Sequence, residues 1–600
     1  MKSSGKHLKF FGIGKILPFL KSVRGMILVM LSLALISSLI DILIPQFQSY
    51  ALDHFVALGT MEGIFWFILA YLAALGVAAV VNYISCAQAT IVEMNVNREL
   101  RQAAFRHLQT LSFSYFNQNS VGYIHARLIS DTGRIGSLVS WTLIDCTWRI
   151  SYLVGAICMM LIMNTRLALM ILSIVPLVVV LFAIFQKKLI HINTEIREVN
   201  SRITGNFNEG IMGAKTVKSL AVEEKMEERF TGETDTMRKK SVQASRLRGI
   251  FSGTVNLASS VALAIVLWKG GYIAVEELGT FSVFMSYAQG MMEPLRWLVD
   301  IVADLITTQV NIQRFTDLLN VQSDVVDSEE VVKKYGDCFH PKKENWEPIR
   351  GDIEFRDVTF RYPDGEETVL EHFSLNIPFG THLAIVGETG AGKSTLVNLV
   401  CRFYEPTRGQ ILIDGRDARE RSQLWLHSAI GYVLQTPHLF SGSIRDNLRV
   451  GNPNATEEEM WNAIGMVSAE DVIAHLENGL DTDVGEGGDL LSTGEKQLIS
   501  FARAILANPR ILILDEATAS VDTITEAKIQ AAMETVTAGR TCLTIAHRLS
   551  TVRDADMILV VRDGKIVEQG NHDTLLKKKG YYHELYTRQY EEEATARILS

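Results

Sequence analysis

The segment from Gly387 to Thr395 combines glycines, a lysine and hydroxyls at a spacing that suits phosphate binding. It reads Gly-Glu-Thr-Gly-Ala-Gly-Lys-Ser-Thr and follows the apolar run Leu383–Val386, which predicts a buried strand. Glycines let successive backbone N–H groups turn inward around an anion, and Lys393 supplies a positive charge for the terminal phosphates. The Ser394 hydroxyl could bind Mg²⁺ at the start of a helix whose dipole also favours an anion. The pattern predicts a P-loop whose nucleotide-binding residues are Gly387, Glu388, Thr389, Gly390, Ala391, Gly392, Lys393, Ser394 and Thr395.

An acidic pair follows a second apolar run. Ile511–Leu514 is predicted to be a buried strand, and it ends in Asp515 and Glu516. In P-loop ATPases a carboxylate at this position holds Mg²⁺, usually through water, and the next acid polarises the attacking water. A surface acidic pair after a strand is a common alternative. The P-loop on the same chain favours Asp515 as a metal ligand and Glu516 as a catalytic residue.

Three further polar or aromatic side chains lie at predicted strand ends. Gln435 follows Gly431–Leu434, and its amide could reach both the metal ion and the attacking water. His547 follows a run ending at Ala546 and could contact the γ-phosphate, although a core histidine is the default interpretation of that residue alone. Tyr362 follows another predicted strand and could stack on adenine, with an ordinary strand-edge tyrosine as the alternative.

The elements that must position these residues form an α/β domain. Beyond residue 348, short β-branched runs alternate with helical patterns, which indicates a largely parallel sheet. Gly351–Phe360 predicts a strand of the antiparallel type ahead of that sheet. The preceding stretch, 321–348, is charged and lacks apolar periodicity, which is typical of a linker between domains. The nucleotide-binding domain is therefore predicted to span 349–600.

The first half of the chain carries an excess of apolar residues. The apolar fraction is 48% and the mean hydropathy is +0.16, which is high for a soluble protein. Crossing the hydrocarbon takes about 20 helical residues. Six spans are predicted within an all-α transmembrane domain of residues 1–320, at about 26–46, 62–84, 141–163, 166–186, 249–270 and 280–301. The sixth is the weakest, because Glu293, Arg296 and Asp300 interrupt it.

Basic residues predict the orientation of these spans. They precede the first span and fill the two long connections after the second and fourth, whereas Gln46–Met61 contains neither Lys nor Arg. The positive-inside bias predicts a multi-pass membrane protein with the N-terminus and the nucleotide-binding domain in the cytosol. The absence of a transit peptide favours a bacterial-type plasma membrane. The long connections are polar but helix-compatible, so the spans are predicted to continue as long cytosolic helix extensions that turn at tips near 117–125 and 210–218.

Ionisable residues within the spans allow two interpretations. A charge in a span is costly and usually faces the bundle interior or a watery cavity. Asp145 and Arg149 are one helical turn apart, so they could instead neutralise each other. The expected partners of this half are the lipid bilayer and a small amphipathic substrate. The formal net charge of −9 argues against a nucleic-acid-binding protein, which would usually be basic.

One more motif completes a recognisable set. Leu491–Glu495 reads Leu-Ser-Thr-Gly-Glu and precedes a predicted helix over Lys496–Leu506. With it, the chain resembles over nearly its whole length an ABC transporter half-subunit of the exporter type, in which six membrane helices are fused to one nucleotide-binding domain. The resemblance assigns motif names in chain order: Tyr362 as A-loop, Gly387–Thr395 as Walker A, Gln435 as Q-loop, Leu491–Glu495 as signature, Asp515 and Glu516 as Walker B, Ser520–Asp522 as D-loop and His547 as switch histidine.

The resemblance also implies a mechanism. Two nucleotide-binding domains would sandwich two ATP molecules with Mg²⁺, each between one chain's Walker motifs and the other chain's signature. ATP-driven closure would open a cavity outward, and hydrolysis would reset it. The tips near 117–125 and 210–218 resemble the coupling helices that transmit this motion. Nucleotide contacts across the dimer would come from the signature residues Ser492, Thr493, Gly494 and Glu495. Asp522 of the D-loop is a further implied nucleotide-binding residue.

The signature departs from the family pattern at two positions. The usual sequence is Leu-Ser-Gly-Gly-Gln, and Thr493 and Glu495 replace its third and fifth residues. Thr493 adds a β-branched side chain where glycine permits close approach, and Glu495 adds a negative charge near another anion. The asymmetry resembles the catalytically competent chain of heterodimeric bacterial multidrug exporters. The hypothesis is a different partner chain with a degenerate Walker B motif; a tolerated variant in a homodimer is the alternative.

The predicted function is ATP-driven export of amphipathic, drug-like or lipid-like substrates by alternating access. A homodimeric exporter or lipid flippase is the nearest alternative. A regulator or gated channel of the same fold is an alternative of a different class, against which the intact Glu516 argues, because a gate does not need efficient turnover.

Overall fold

The structure is a computed structural model that describes residues 12–270, 278–515, 523–546 and 552–588. The chain divides into two compact units. One contains the described residues up to Leu108 together with Gly122–Val321, and the other contains Gln109–Val121 together with the chain from Gln322 onward. The short segment 109–121 therefore belongs to the second unit, although the residues on both sides of it belong to the first.

The first unit is helical. Five of its continuous helical stretches are long and apolar enough to cross a membrane, namely Ile13–Val56, Ile64–Leu108, Val121–Met163, Thr165–Met212 and Glu223–Lys269. Each has 43 to 48 residues. At 1.5 Å per residue this is roughly 65–72 Å, more than twice the hydrocarbon thickness of about 30 Å. The predicted continuation of the spans as long helices is confirmed.

The region of the sixth predicted span, 280–301, consists of two helices. Leu278–Gly290 and Met292–Leu319 meet at Met291, and neither is among the five stretches that meet the length and composition criteria. The sixth span stays a prediction. The α-helices of this unit are Ile13–Ile16, Arg24–Tyr50, Ile64–Leu108, Val121–His125, Thr132–Ser137, Leu143–Met163, Thr165–Leu172, Ile174–Met212, Ala214–Leu220, Glu223–Gly270, Leu278–Gly290 and Met292–Leu319.

Small residues allow close helix packing in the first unit. Ala156, Ala168, Ala262 and Ala288 are fully buried within one apolar cluster. Small side chains let helix backbones approach closely, which is how helices associate where no water drives them together. The same cluster contains Tyr287, whose hydroxyl donates a hydrogen bond of 2.6 Å to the carbonyl oxygen of Ile42.

The second unit contains two sheets. An antiparallel sheet of four strands has the order β2-β1-β4-β5, and a six-stranded sheet has the order β10-β9-β3-β8-β7-β6. In the larger sheet every neighbouring pair is parallel except β9 and β10. The strands are β1 Ile353–Phe360, β2 Leu370–Ile377, β3 His382–Val386, β4 Arg408–Ile413, β5 Arg416–Asp417, β6 Ile430–Val433, β7 Ile511–Asp515, β8 Thr541–Ile545, β9 Met557–Arg562 and β10 Lys565–Gly570.

These strands follow the sequence pattern closely. The parallel strands β3, β7 and β8 are short, rich in Ile, Leu and Val, and almost entirely buried, as expected of a sheet covered on both faces. Strand β1 pairs antiparallel with β2 and β4, as predicted for Gly351–Phe360. The α-helices of this unit are Phe113–Gln118, Glu329–Tyr335, Lys393–Val400, Gln423–Ser428, Ile444–Gly451, Glu457–Met466, Glu470–Ala474, Thr493–Leu506, Thr523–Thr537 and His572–Lys578.

The segment predicted as a linker, 321–348, packs against the second unit from Gln322 onward. It contains the helix Glu329–Tyr335, in which Val331 and Tyr335 are buried. Asp327 forms an ion pair of 2.7 Å with Arg402, whose side chain is only 3% exposed. Arg402 also donates to Glu405 and to the carbonyl oxygens of Val326, Ala418 and Arg421. One buried guanidinium therefore ties this segment to the domain that follows.

The Arg402→Met variant should destabilise the second unit, because Asp327 would lose its cation and buried carbonyl oxygens would lose their donor. Breaking a buried pair from one side costs about 3–5 kcal/mol. For a domain of this size the loss corresponds to a fall in melting temperature of about 6–20 °C. Thermal unfolding of the full chain would measure it. Arg416→Met is the control, since that arginine forms a largely exposed pair with Glu347; an equal fall in both variants would contradict the role of Arg402.

Candidate functional site

The larger sheet brings several of the predicted nucleotide-binding residues to one edge. Strands β3, β8, β7 and β6 run parallel, so their carboxyl ends lie at the same side of the sheet. Gly387 follows β3, Asp515 ends β7, and Gln435 lies two residues after β6. Ligands of open α/β sheets bind at this carboxyl edge. Glu516, Asp522 and His547 lie outside the described residues, so their roles stay predictions.

Glycines are required in the P-loop by its backbone geometry. Gly390 and Gly392 have φ of 87° and 102°, in the region that side chains disfavour. A Cβ atom on Gly387 would collide with the carbonyl oxygen of Val561 in the neighbouring strand β9. The loop therefore keeps the glycine-dependent shape that turns backbone N–H groups toward an anion.

Lys393 lies at the start of the helix Lys393–Val400 and is 8% exposed. Its Nζ donates hydrogen bonds of 2.7 Å and 2.9 Å to the carbonyl oxygens of Gly387 and Glu388. Burial lowers the pKa of the Lys393 ammonium, and the negative charge of Asp515 counters part of that shift. The ammonium thus lies against the loop, and the negative charge of Asp515 favours its protonated form.

Tyr362 is tied to the P-loop helix. Its hydroxyl shares a hydrogen bond of 2.9 Å with the hydroxyl of Thr395, in the first turn of that helix. Its ring lies edge-on to Phe360 and Tyr404, with centroid distances of 4.9 Å and 5.1 Å. These contacts place an aromatic ring beside the phosphate-binding loop, where it is available for stacking with a base. Tyr404 was not singled out by its spacing in the sequence, and Asn117, whose amide bonds to the Tyr404 hydroxyl, lies in the predicted tip 117–125.

The signature segment begins the helix Thr493–Leu506 with a capping box. The Ser492 hydroxyl accepts a 3.4 Å hydrogen bond from the Glu495 backbone N–H, and the Glu495 carboxylate accepts one of 2.7 Å from the Ser492 backbone N–H. The departure at Glu495 is therefore more than a charge near an anion, since this carboxylate binds the terminus of its own helix. The Ser-x-x-Glu pattern is a local signal that could have predicted it.

The first unit places acidic residues on a cavity. A space of about 400 Å³ is lined by Asp41, Asn82, Asp145 and Trp148, which belong to the helices Arg24–Tyr50, Ile64–Leu108 and Leu143–Met163. The indole N–H of Trp148 donates a hydrogen bond of 2.8 Å to Asp41. Arg149 forms an ion pair of 2.8 Å with Glu293. Asp41 and Asp145 thus lie on a cavity, and Arg149, whose spacing allows a pairing with Asp145, forms its ion pair with Glu293 of a distant helix.

The helical unit, the two sheets and the P-loop edge define a class of membrane protein with a fused ATPase domain. The model of the ABC transporter transmembrane region matches residues 27–295, and the ABC transporter model matches residues 370–519. The chain belongs to the ABC transporter family, as an exporter whose transmembrane and ATP-binding domains are fused. It is a multi-pass membrane protein, and its enzymatic activity is ATP hydrolysis coupled to transport.

Particular relatives cover most of the chain. The uncharacterized ABC transporter ATP-binding protein YknV of Bacillus subtilis is 35% identical, over 96% of this chain and 94% of the relative. The probable multidrug resistance ABC transporter ATP-binding/permease protein YheH of the same organism is 36% identical, over 83% and 73%. An ATP-dependent lipid A-core flippase of Syntrophus aciditrophicus is 32% identical, over 95% and 92%. A solved structure of a bacterial Atm1-family ABC exporter with ATP bound aligns with a TM-score of 0.77 at 26% identity, over 95% of this chain and 99% of that one.

Proposed function

We propose that this chain exports amphipathic molecules, drug-like or lipid-like, by ATP-driven alternating access. The observation that carries the proposal is a glycine-dependent P-loop, with Lys393 buried against it, on the same chain as five long apolar helices. The multidrug and lipid A-core relatives support this substrate range. The excess of basic residues in the long connections supports a cytosolic position for the nucleotide-binding domain.

In this proposal the sheet edge holds MgATP. Lys393 and the N–H groups of the P-loop bind the phosphates, and Tyr362 stacks on adenine. Ser394, Gln435 and Asp515 supply hydroxyl, amide and carboxylate oxygens, which are the ligand types that Mg²⁺ prefers. The ion neutralises charge on the β- and γ-phosphates when bound. Glu516 orients and polarises the attacking water, and His547 contacts the γ-phosphate.

The proposed assembly is a heterodimer in which this chain contributes the hydrolysing Walker motifs. Its signature, with Thr493 and Glu495, would face ATP bound by the partner. The capping box supports the proposal, because the Glu495 carboxylate and a γ-phosphate would compete for one helix N-terminus. A homodimeric flippase is the second candidate, and the lipid A-core relatives favour it.

Glu495→Gln should tighten ATP binding at the site that contains this signature by about fivefold or more, since a like charge a few Å from an anion costs about 1 kcal/mol even in a water-like dielectric. Glutamine keeps the capping geometry and removes the charge. Equilibrium binding of a fluorescent ATP analogue to the assembled transporter, in a Glu516→Gln background, would measure it. Glu459→Gln is the matched control, because Thr456 and Glu459 form the same capping box in another helix. Equal effects of the two substitutions would contradict the proposal.

The assembly is tested first on the chain purified alone in lipid nanodiscs, by oligomeric mass and ATPase activity. A monomeric or inactive chain supports a missing partner. A dimer with activity that depends on Glu516 would contradict the heterodimer and favour the flippase-like homodimer. Transport is tested in inverted vesicles with a fluorescent cationic dye and a fluorescent phospholipid. Failure to move either probe with an active ATPase would contradict the proposed substrate range.

A further inference from the structure

A line of contacts joins the short helix Phe113–Gln118 to the start of the P-loop helix, entirely within the second unit. The amide of Asn117 donates a hydrogen bond of 3.0 Å to the Tyr404 hydroxyl. The Tyr404 ring lies edge-on to Tyr362 at 5.1 Å, and the Tyr362 hydroxyl is 2.9 Å from that of Thr395. Four side chains from distant parts of the chain thus make successive contacts.

The helix Phe113–Gln118 is held by two adjacent aromatic residues. Phe113 stacks on Phe403 with a centroid distance of 5.2 Å and an interplanar angle of 20°. Asn117 bonds to the next residue, Tyr404. The chain on both sides of this helix belongs to the helical unit. The helix Phe113–Gln118 is therefore joined covalently at both ends to the helical unit, while its side chains contact Phe403 and Tyr404.

The turn that carries these two aromatics is rigid. Arg402 has a φ of 52°, which is unfavourable for a residue with a side chain. Its guanidinium is fixed by Asp327, Glu405 and backbone carbonyl oxygens. The backbone N–H of Phe403 also bonds to the carbonyl oxygen of Asn398, in the last turn of the P-loop helix. The turn is therefore held both by the guanidinium of Arg402 and by the backbone of Phe403.

Tyr404 contacts both the short helix Phe113–Gln118 and Tyr362. It is 5% exposed, so its ring has little freedom to reorient without moving its neighbours. The hydroxyl meets Asn117 of the short helix, and the ring meets Tyr362 beside the P-loop. Phe403 contacts Phe113 and Tyr432 of β6. Phe403 thus contacts β6, whereas Tyr404 contacts Tyr362 beside the P-loop helix.

We propose that Tyr404 is a positioning residue that couples the helix Phe113–Gln118 to Tyr362, so that the preference for adenine nucleotides depends on the hydrogen bond between Asn117 and Tyr404. The inference rests on the proposed function through the stacking role of Tyr362. When the bond is made, the ring of Tyr404 holds that of Tyr362 in the orientation that stacks on a base. When the helix moves away, the ring of Tyr362 loses that support and ATP binds less tightly.

The test compares KM and kcat for ATP and GTP in the full-length transporter in nanodiscs. Tyr404→Phe and Asn117→Ala should each raise KM for ATP about three- to fivefold, the value of one hydrogen bond, with kcat little changed. KM for GTP should change less, so the preference for ATP falls. The double variant should match either single variant, because both remove the same bond. Tyr404→Leu also removes the ring contact and should raise KM for ATP about tenfold or more.

Two controls separate this route from general loosening. Tyr335→Phe removes the hydroxyl of another buried tyrosine in the same unit, which contacts Lys334 and Glu347, and should leave both KM values unchanged. Tyr582→Phe removes the hydroxyl of a further buried tyrosine, which contacts His572, and should leave the ratio of the two KM values unchanged. Additive effects of Asn117→Ala and Tyr404→Phe, or equal shifts for ATP and GTP, would overturn the inference.

A Tyr362→Leu variant tests the stacking role of Tyr362 separately from the hydrogen bond between Asn117 and Tyr404. If Tyr362→Leu lowers the preference for ATP and the Tyr404 and Asn117 variants do not, the coupling route is wrong and the nucleotide site stands. If Tyr362→Leu leaves the preference intact, the stacking role of Tyr362 is wrong and the inference falls with it. A parallel loss of preference in all three variants supports the coupling.

Discussion

The Lys393→Met variant is expected to lose ATP turnover by about a hundredfold or more, because removing one preorganised charge or donor from the reacting group typically costs 10²–10³ in rate. Methionine keeps much of the length of the side chain and removes the ammonium. In the structure this ammonium lies over the carbonyl oxygens of Gly387 and Glu388, with the charge of Asp515 near it. Lys393 is the only lysine among the described residues assigned to nucleotide binding, so no other lysine of that set can replace its charge.

The measurement is release of labelled phosphate by the transporter in nanodiscs, with melting temperature as a check on folding. Lys565→Met is the matched control, because Lys565 makes an exposed pair with Glu371 in the same unit. This control should keep wild-type turnover. If Lys393→Met kept more than about a tenth of the activity while the protein remained folded, the phosphate-binding role of the loop would be wrong.

Glu516→Gln is expected to retain ATP binding and to lose most turnover, by about 10²–10⁴-fold, the usual contribution of a positioned general base. Glutamine is nearly isosteric but cannot accept a proton from the attacking water. Glu516 lies outside the described residues, so the expectation rests on its place directly after Asp515, which ends β7 at the carboxyl edge of the sheet.

Binding and turnover must be measured on the same preparation. A fluorescent ATP analogue gives the affinity, and labelled phosphate release gives the rate. Asp489→Asn is the control, because that side chain is largely exposed and forms only a long pair with Lys496. Retained turnover in Glu516→Gln would assign the base to another residue, whereas joint loss of binding and turnover would show a structural defect instead.

Local patterns in the sequence determined much of this protein. The glycine spacing of 387–392 and the apolar runs before Gly387 and Asp515 located the P-loop and the strands β3 and β7. These features can be predicted because backbone conformation and burial on both faces of a strand depend mainly on neighbouring residues. The long apolar segments likewise indicated membrane helices, since the thickness of the bilayer sets their length.

Tertiary structure decided the contacts between distant parts of the chain. Asn117 and Tyr404 are 287 positions apart, and Arg149 and Glu293 are 144 apart. Their pairing depends on how whole helices and sheets pack, and hydropathy does not fix the rotation of a helix. For the same reason, only the folded chain shows that 109–121 and the segment from Gln322 onward belong to the ATP-binding unit. The sequence by itself determined the nucleotide chemistry, and only the tertiary structure decided which residues surround and support it.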